Sequence, residues 1–161
     1  MSDSYGKKAE KKIKEWLDRP DDGYDFNRIP DQLTGRYGSK NICDFDLFIS
    51  PDKFYIESKS TENDRFEFSL ITDYQYENLL KKSRIDHVWG LIVVLFITYQ
   101  RAFILDIRDI DWMSTQLGKK SLNITKIDKW PIPYVEIPTI PSRKELLDYA
   151  GDWPKLKRSE H

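Results

Sequence analysis

The apolar run VWGLIVVLFI, at residues 88–97, constrains most strongly what this chain can fold into. A membrane-spanning helix needs about 20 consecutive apolar residues, and no run in the chain is that long. The run is also rich in β-branched side chains, which favour strands over helices. We therefore predict a buried strand here, followed by a turn at TYQR and a second strand at 102–107.

The segments around these two strands alternate between helical and extended patterns. SDSYGKKAEKKIKEWLDRP predicts an N-terminal helix that stops at Pro20, because proline breaks the helical hydrogen-bond pattern. Thr72 and Gln75 match a capping box, which predicts a helix from Asp73 to about Ser83. The remaining expected elements are strands at 24–29, 42–50 and 54–61, a short helix near 109–117, and an extended, proline-spaced tail with a helical turn or two. This order predicts one α+β (α/β) domain over residues 1–161, with a mixed β-sheet flanked by helices.

Two of the predicted strands, 42–50 and 54–61, are joined by a short turn and should form a β-hairpin. Side chains alternate faces along a strand, so Glu57 and Lys59 share one face. Asp44 and Asp46 on the paired strand can lie on that same face. The other face of the hairpin is apolar, which suggests that the charged face borders a cleft.

Two interpretations of the charged face are open. One is an exposed sheet surface with ordinary cross-strand ion pairs, each contributing under about 1 kcal/mol. The other is a metal site, since two converging carboxylates and a backbone carbonyl supply the hard oxygen ligands that Mg²⁺ prefers. A neighbouring lysine could then position or deprotonate the attacking water and stabilise charge on a phosphorane.

Composition narrows the classes of function. The formal net charge is −1, from 26 basic and 27 acidic residues, so nucleic-acid binding would need a local arrangement or a bound cation. The single cysteine, Cys43, excludes an intramolecular disulfide and fits a reducing compartment. With His87 and His161 as the only histidines, zinc fingers and Ser–His or Cys–His catalysis are poorly supported. The N-terminus lacks the apolar region of a signal peptide, so the expected location is cytoplasmic, with no membrane partner.

The hairpin residues resemble the signature of the PD-(D/E)XK nucleases, and in detail that of the RecU-type Holliday-junction resolvases. The core match is Asp44 followed by Glu57-Ser58-Lys59 on the returning strand. The further matching positions are a threonine two residues after the lysine, a nearby phenylalanine, a glutamine that opens a helix, and a glycine and a glutamate four apart on the first helix: Thr61, Phe66, Gln75, Gly6 and Glu10. The proline of the signature is replaced by Cys43, for which we expect a buried, small apolar environment.

This resemblance implies a restriction-endonuclease-like core and a Mg²⁺-dependent endonuclease, with Mn²⁺ as a substitute ion. It implies that Asp44 and Glu57 bind the metal with the Ser58 carbonyl, and that Lys59 acts on the attacking water. Gln75 would orient Lys59 or water, although helix capping alone also explains it. Glu10 would complete the site from the first helix, or is simply a charge at the helix edge.

Family resemblance also implies a homodimer that acts on branched DNA. One departure is the segment 30–43, which is too short for the long stalk that the resolvases insert into a junction. Arg36 and Lys40 in this segment are candidates for DNA phosphate contacts, or belong to an ordinary solvated loop. Two other functions therefore remain open, namely a nuclease acting on ordinary duplex or flapped DNA and a non-catalytic DNA-binding module of the same fold.

Overall fold

A six-stranded mixed sheet organises the protein. The structure is a computed structural model that describes residues 2–19, 23–30, 41–142 and 146–161. The helices are α1 (Ser2–Leu17), α2 (Asp73–Ser83) and α3 (Ile107–Gln116), with short 3-10 segments at Phe68–Leu70 and Ile124–Lys129. The strands are β1 (Tyr24–Arg28), β2 (Phe45–Ile49), β3 (Asp52–Thr61), β4 (Arg65–Glu67), β5 (Val88–Phe96), β6 (Arg101–Asp106), β7 (Ser121–Asn123), β8 (Val135–Ile137), β9 (Thr139–Pro141) and β10 (Leu147–Tyr149).

Strand order in the main sheet is β1-β2-β3-β5-β6-β8. Strands β3 and β5 run parallel, and every other neighbouring pair is antiparallel. The predicted hairpin is confirmed as β2 and β3, with Phe45 opposite Ile56. The predicted α+β class and the helix from Asp73 to Ser83 are also confirmed.

The sheet is covered on both faces, and β5 shows why. Its Leu91, Val93 and Leu95 side chains belong to a core that is shared with α1. Its alternate residues, Ile92 and Val94, belong to a second core that is shared with α2 and α3. The face opposite the hairpin's apolar side is therefore mostly a second core, and the cleft that the sequence predicts there is limited to the part around Glu57 and Lys59.

Gly90 allows the two helices of the second core to lie close to β5. A Cβ atom at this position would approach the Leu79 carbonyl oxygen of α2 to 2.8 Å and the Ile107 Cγ2 of α3 to 2.9 Å. Both distances are shorter than real Cβ contacts, so any larger residue would displace a helix. This close packing fixes the position of α2, whose N-terminus reaches the candidate site.

The C-terminal part contains more strands than the sequence predicts. β8 joins the edge of the main sheet through Ala102 and Ile137, β4 pairs with β7, and β9 pairs with β10. Each of these strands outside the predicted set is only three residues long, so its identity depends on a distant partner rather than on a local pattern. Among the described helices, none has the length and apolar character that crossing a membrane requires.

Candidate active site

Asp44 lies immediately before the first residue of β2. From this point on, β3 continues past its last pair with β2, which joins Phe45 and Ile56. The Asp44 backbone N–H donates to the Ile56 carbonyl at 3.0 Å, and the Asp44 Oδ2 accepts from the Ser58 N–H at 2.9 Å. The pKa of Asp44 is raised from 3.8 to about 7, mainly by burial, with the nearby Glu57 carboxylate adding to the rise and hydrogen bonding by Glu10 and Ser58 opposing it. The hairpin thus places an aspartate against the backbone of the β3 segment that follows Ile56.

Glu57 lies near the middle of β3, and its side chain is only 3% exposed. Its Oε2 accepts a hydrogen bond from Gln75 Nε2 at 2.9 Å and lies 3.1 Å from Lys59 Nζ. Within the described part of the chain, its Oε1 is buried and has no hydrogen-bond partner. Burial raises the pKa of Glu57, and the positive charge of Lys59 opposes that rise. The carboxylate is therefore held through one oxygen and leaves the other available.

Gln75 caps α2, which is one of the two alternatives that the sequence left open, and it also contacts Glu57; its orientation of Lys59 or water remains a prediction. Its side-chain oxygen accepts from the Thr72 N–H at 3.3 Å, and the Thr72 hydroxyl accepts from the Gln75 N–H at 3.2 Å, which completes the predicted capping box. Because the amide oxygen is engaged by the cap, the amide nitrogen faces Glu57. The same side chain therefore starts α2 and fixes Glu57.

Helix α1 supplies the opposite wall of a cleft of about 350 Å³. Glu10 lies in this wall, and its Oε2 is 3.4 Å from Arg28 Nη2 on β1. The complete set of lining residues is Gly6, Lys7, Glu10, Asp44, Glu57, Ser58 and Lys59. The structure thus brings together the candidates from the first helix and from both hairpin strands.

The other hairpin acid, Asp46, matches the simpler interpretation of the charged face. Its Oδ1 lies 3.0 Å from Lys53 Nζ, and it also accepts from Asn27 of β1 at 3.2 Å. This is an ordinary ion pair between neighbouring strands, and the described lining of the cleft includes neither of its two residues. Arg36 and Lys40 lie outside the described residues, so their DNA contacts remain a prediction.

Sequence reasoning missed two side chains of this region. Lys7 lines the cleft, and its spacing of three residues from Glu10 places both on one side of α1. That spacing was a usable signal. Arg28 pairs with Glu10 across the fold, and no local pattern announces such a contact. The substituted signature position, Cys43, is buried as expected, and burial raises its pKa to about 12.

The donor set fits a hard divalent cation. Glu57 Oε1 is a buried oxygen without a hydrogen-bond partner in the described chain, and leaving such an atom unsatisfied is unfavourable. The N–H and C=O of one strand residue point to the same side, so the Ser58 carbonyl points toward Asp44, as its N–H does. Among the described residues, no group of three or more His, Cys, Asp or Glu side chains has metal-binding geometry. The fit therefore rests on two carboxylates and one carbonyl.

Comparison with known proteins gives a family match and a likeness to solved structures. The family model described as Recombination protein U matches residues 28–149, a range that includes Asp44, Glu57, Lys59 and Gln75. No curated protein matches the chain. Among solved structures, Hjc from Archaeoglobus fulgidus, a Holliday junction resolvase of an archaeal hyperthermophile, is similar at 13% identity and a TM-score of 0.48, over 74% of this chain and 89% of that one.

Proposed function

Because the chain belongs to the recombination protein U family, we propose that it is a metal-dependent DNA endonuclease that cleaves Holliday-type junctions. The observation that carries the proposal is the meeting of Asp44, Glu57 and Lys59 in one cleft, where the buried Glu57 Oε1 has no hydrogen-bond partner among the described residues. A buried arrangement of this kind is unfavourable in itself and is explained by a ligand. The resemblance of the same residues to the RecU-type resolvases supports junction DNA as the substrate.

In this proposal, Asp44, Glu57 and the Ser58 carbonyl hold Mg²⁺, or Mn²⁺ in its place. The chemistry that the cation supplies is polarisation of the scissile phosphate and neutralisation of its developing charge. Gln75 and Lys59 both engage Glu57 Oε2, which leaves Oε1 as the oxygen for the cation.

Lys59 is the group placed to assist the attacking water. Its ammonium lies at the cleft surface, 3.1 Å from Glu57 Oε2, and has further N–H donors for a water or a phosphate oxygen. As the water oxygen forms a bond to phosphorus, it releases a proton to solvent, the bond to the leaving oxygen breaks, and that oxygen takes up a proton from solvent. Lys59 stabilises the negative charge that develops between these events. Glu10 completes the proposed site from the α1 wall of the cleft.

Junction resolution requires two cuts, and a two-fold homodimer would present two sites to two strands. We therefore include a homodimer in the proposal, with Arg36 and Lys40 as phosphate contacts near the junction. The short segment 30–43 should make the preference for a four-way junction over duplex modest. A DNA substrate and a single free cysteine are consistent with the cytoplasmic location expected from the sequence.

The test is cleavage of a labelled four-way junction, the matched linear duplex and a single strand, each with and without Mg²⁺ or Mn²⁺. We expect metal-dependent cleavage with the junction cut fastest, and sedimentation should show a dimer. The preference should shrink in Arg36→Ala/Lys40→Ala. A monomer that cuts linear duplex as fast as the junction would leave only a nuclease. Absence of cleavage on every substrate would favour the non-catalytic DNA-binding module.

A further inference from the structure

A second cleft, of about 450 Å³, lies on the small sheet formed by β4 and β7 and on the 3-10 segment that follows it. All of its charged lining residues are basic and exposed: Arg65, Lys119, Lys120, Lys126 and Lys129. Within the described part of the chain, none of them forms an ion pair with a carboxylate. In a chain of net charge −1, this is a local concentration of unneutralised positive charge, which we call the basic cleft.

The backbone below the basic cleft is firmly held. Arg65 Nη1 donates to the Ser121 hydroxyl at 3.2 Å, which joins β4 to β7. Asn123 accepts from the Thr125 N–H at 2.9 Å and so caps the 3-10 segment. The Trp130 indole N–H donates to the Asn123 carbonyl at 2.8 Å, while its ring packs against Phe103 in the second core. The cations therefore extend from a fixed platform rather than from a free loop.

A groove shares a lining residue with the basic cleft and is next to residues of the candidate active site along the chain. This groove has a volume of about 360 Å³, and its wall includes Tyr5 of α1, Ser60 of β3 and Arg65 of β4. Its wall also contains the acids Glu62 and Glu67, so the excess of positive charge belongs to the basic cleft and not to the groove. Tyr5 and Ser60 each directly adjoin residues of the active-site cleft, and Arg65 also lines the basic cleft. We call this succession of three depressions the track; it follows the chain from Lys59 in β3 to Arg65 in β4.

The length of the track suits a nucleic-acid arm. Arg65 follows Lys59 by six positions, and an extended chain spans at most about 3.6 Å per residue, which limits their separation to about 20 Å. Duplex DNA carries one phosphate per strand about every 3.4 Å, so this upper limit corresponds to at most about six base pairs. An arm leaving the active site along the track would reach the basic cleft within that length.

We propose that the basic cleft binds the sugar–phosphate backbone of the duplex arm next to the cleavage position. This inference rests on the proposed function for the place of cleavage, and on the basic cleft alone for the contact. Lysine ammonium groups attract phosphates as point charges and do not read bases, so the contact adds affinity without sequence preference.

The test compares two variants that remove the same charge. In the cleft variant, the lysines of the basic cleft become glutamine: Lys119→Gln/Lys120→Gln/Lys126→Gln/Lys129→Gln. In the control variant, four basic residues near the other end of the sheet, where α2 ends and β5 begins, are changed in the same way: Lys81→Gln/Lys82→Gln/Arg84→Gln/Lys157→Gln. Melting temperatures establish that both variants fold, and Lys126→Gln/Lys129→Gln is a milder version of the cleft variant.

Dissociation constants are measured against salt for junctions with long arms and with arms cut to about four base pairs. Each lost phosphate contact should lower the slope of log K against log salt by about 0.9, so we expect a decrease of up to about 3.6 in the cleft variant. Its Kd for long arms should rise at least about tenfold, with little change for short arms, and its single-turnover cleavage rate at saturating DNA should stay within about twofold of wild type.

Equal slopes and equal Kd values in the cleft and control variants would overturn the inference. An equal rise in the Kd of the cleft variant for short and long arms would also overturn the inference, because the contact would then lie at the junction itself. Failure of the wild-type protein to cleave any DNA would instead contradict the proposed function, and the binding comparison would still decide whether the basic cleft contacts DNA.

Discussion

Gln75 donates a hydrogen bond from its side-chain nitrogen to Glu57 Oε2 over 2.9 Å, and its side-chain oxygen caps α2 at the same time. The first turn of a helix and a proposed metal ligand are therefore held by one amide group. The arrangement depends on how closely α2 packs on β5, where Gly90 leaves room for the helix backbone.

The first prediction separates the two functions of Gln75. Thr72→Ala removes the cap and keeps the contact to Glu57, so it should lose about 1 kcal/mol of stability and little activity. Gln75→Ala removes both, so it should lose similar stability and about 10- to 100-fold in cleavage rate, the range for a hydrogen bond to a charged group. Urea unfolding and single-turnover kinetics measure the two effects. Equal rates in the two variants would show that Gln75 only caps the helix.

Metal binding is tested without any reaction. Two buried carboxylates repel each other and are destabilised by burial, so a cation that binds the folded state should stabilise it. Differential scanning calorimetry should show that Mg²⁺ or Mn²⁺ raises the melting temperature of the wild-type protein but not that of Asp44→Asn/Glu57→Gln. The double variant is the control for unspecific ion effects. An equal rise in both proteins would remove the metal assignment.

Lys59 should matter for the rate and much less for binding. Its stabilisation of developing charge acts in the transition state, so Lys59→Ala should lose about 100-fold or more in single-turnover rate with a small change in Kd. Lys53 on the same strand provides the matched control, because it is also a lysine paired with an acid, at 3.0 Å from Asp46. Lys53→Ala should cleave at nearly the wild-type rate. Weak binding with intact cleavage in Lys59→Ala would make Lys59 a phosphate contact.

Asp106, the last residue of β6, allows a prediction of stability against pH. It caps α3 by accepting from the Arg108 N–H at 2.9 Å, and its side chain is 1% exposed. Burial raises the pKa of Asp106 from 3.8 to about 6, with Asp109 adding to the rise and Arg158 opposing it. Between these values the folded state binds the proton more tightly than the unfolded state does. The stabilisation that proton binding to Asp106 gives the folded state is therefore complete below about pH 4 and is lost as the pH rises through about 6.

Asp106→Asn removes this titration and keeps a side chain that caps helices equally well. Relative to the variant, the wild-type protein should lose about 3 kcal/mol of unfolding free energy between pH 4 and pH 7. Urea unfolding of both proteins at four pH values measures the difference. Parallel stability curves would mean that Asp106 does not titrate in this range.

Local patterns explain which parts of the fold could be predicted. The hairpin of β2 and β3 follows from alternation and a short turn, and α2 begins where Thr72 and Gln75 form their capping box. Strands β4 and β7 could not be predicted, because Arg65 pairs with Asn123 far along the chain and neither three-residue segment has a period of its own. Strand pairing between such distant segments is determined by tertiary packing rather than by the strand propensity of each segment.

The same distinction between local patterns and distant contacts applies to the candidate site. Glu57 and Lys59 could be placed on one face from the period of a strand, and the family resemblance singled out Gln75 and Glu10. The sequence did not indicate that Gln75 contacts Glu57 Oε2 or that Glu10 pairs with Arg28, since both contacts join separate elements. The sequence did not indicate the lysines of the basic cleft, because they lie in short polar stretches, which usually form only solvated surface.

The proposed chemistry and the proposed DNA contact occupy different parts of the architecture. Asp44, Glu57 and Lys59 are fixed to the β2–β3 hairpin of the main sheet, whereas the basic cleft lies on the peripheral β4–β7 sheet. Substitutions in the peripheral sheet can change how firmly a DNA arm is held without moving a metal ligand. Affinity and hydrolysis would then be two heritable traits that selection, or a directed-evolution experiment, can alter one at a time.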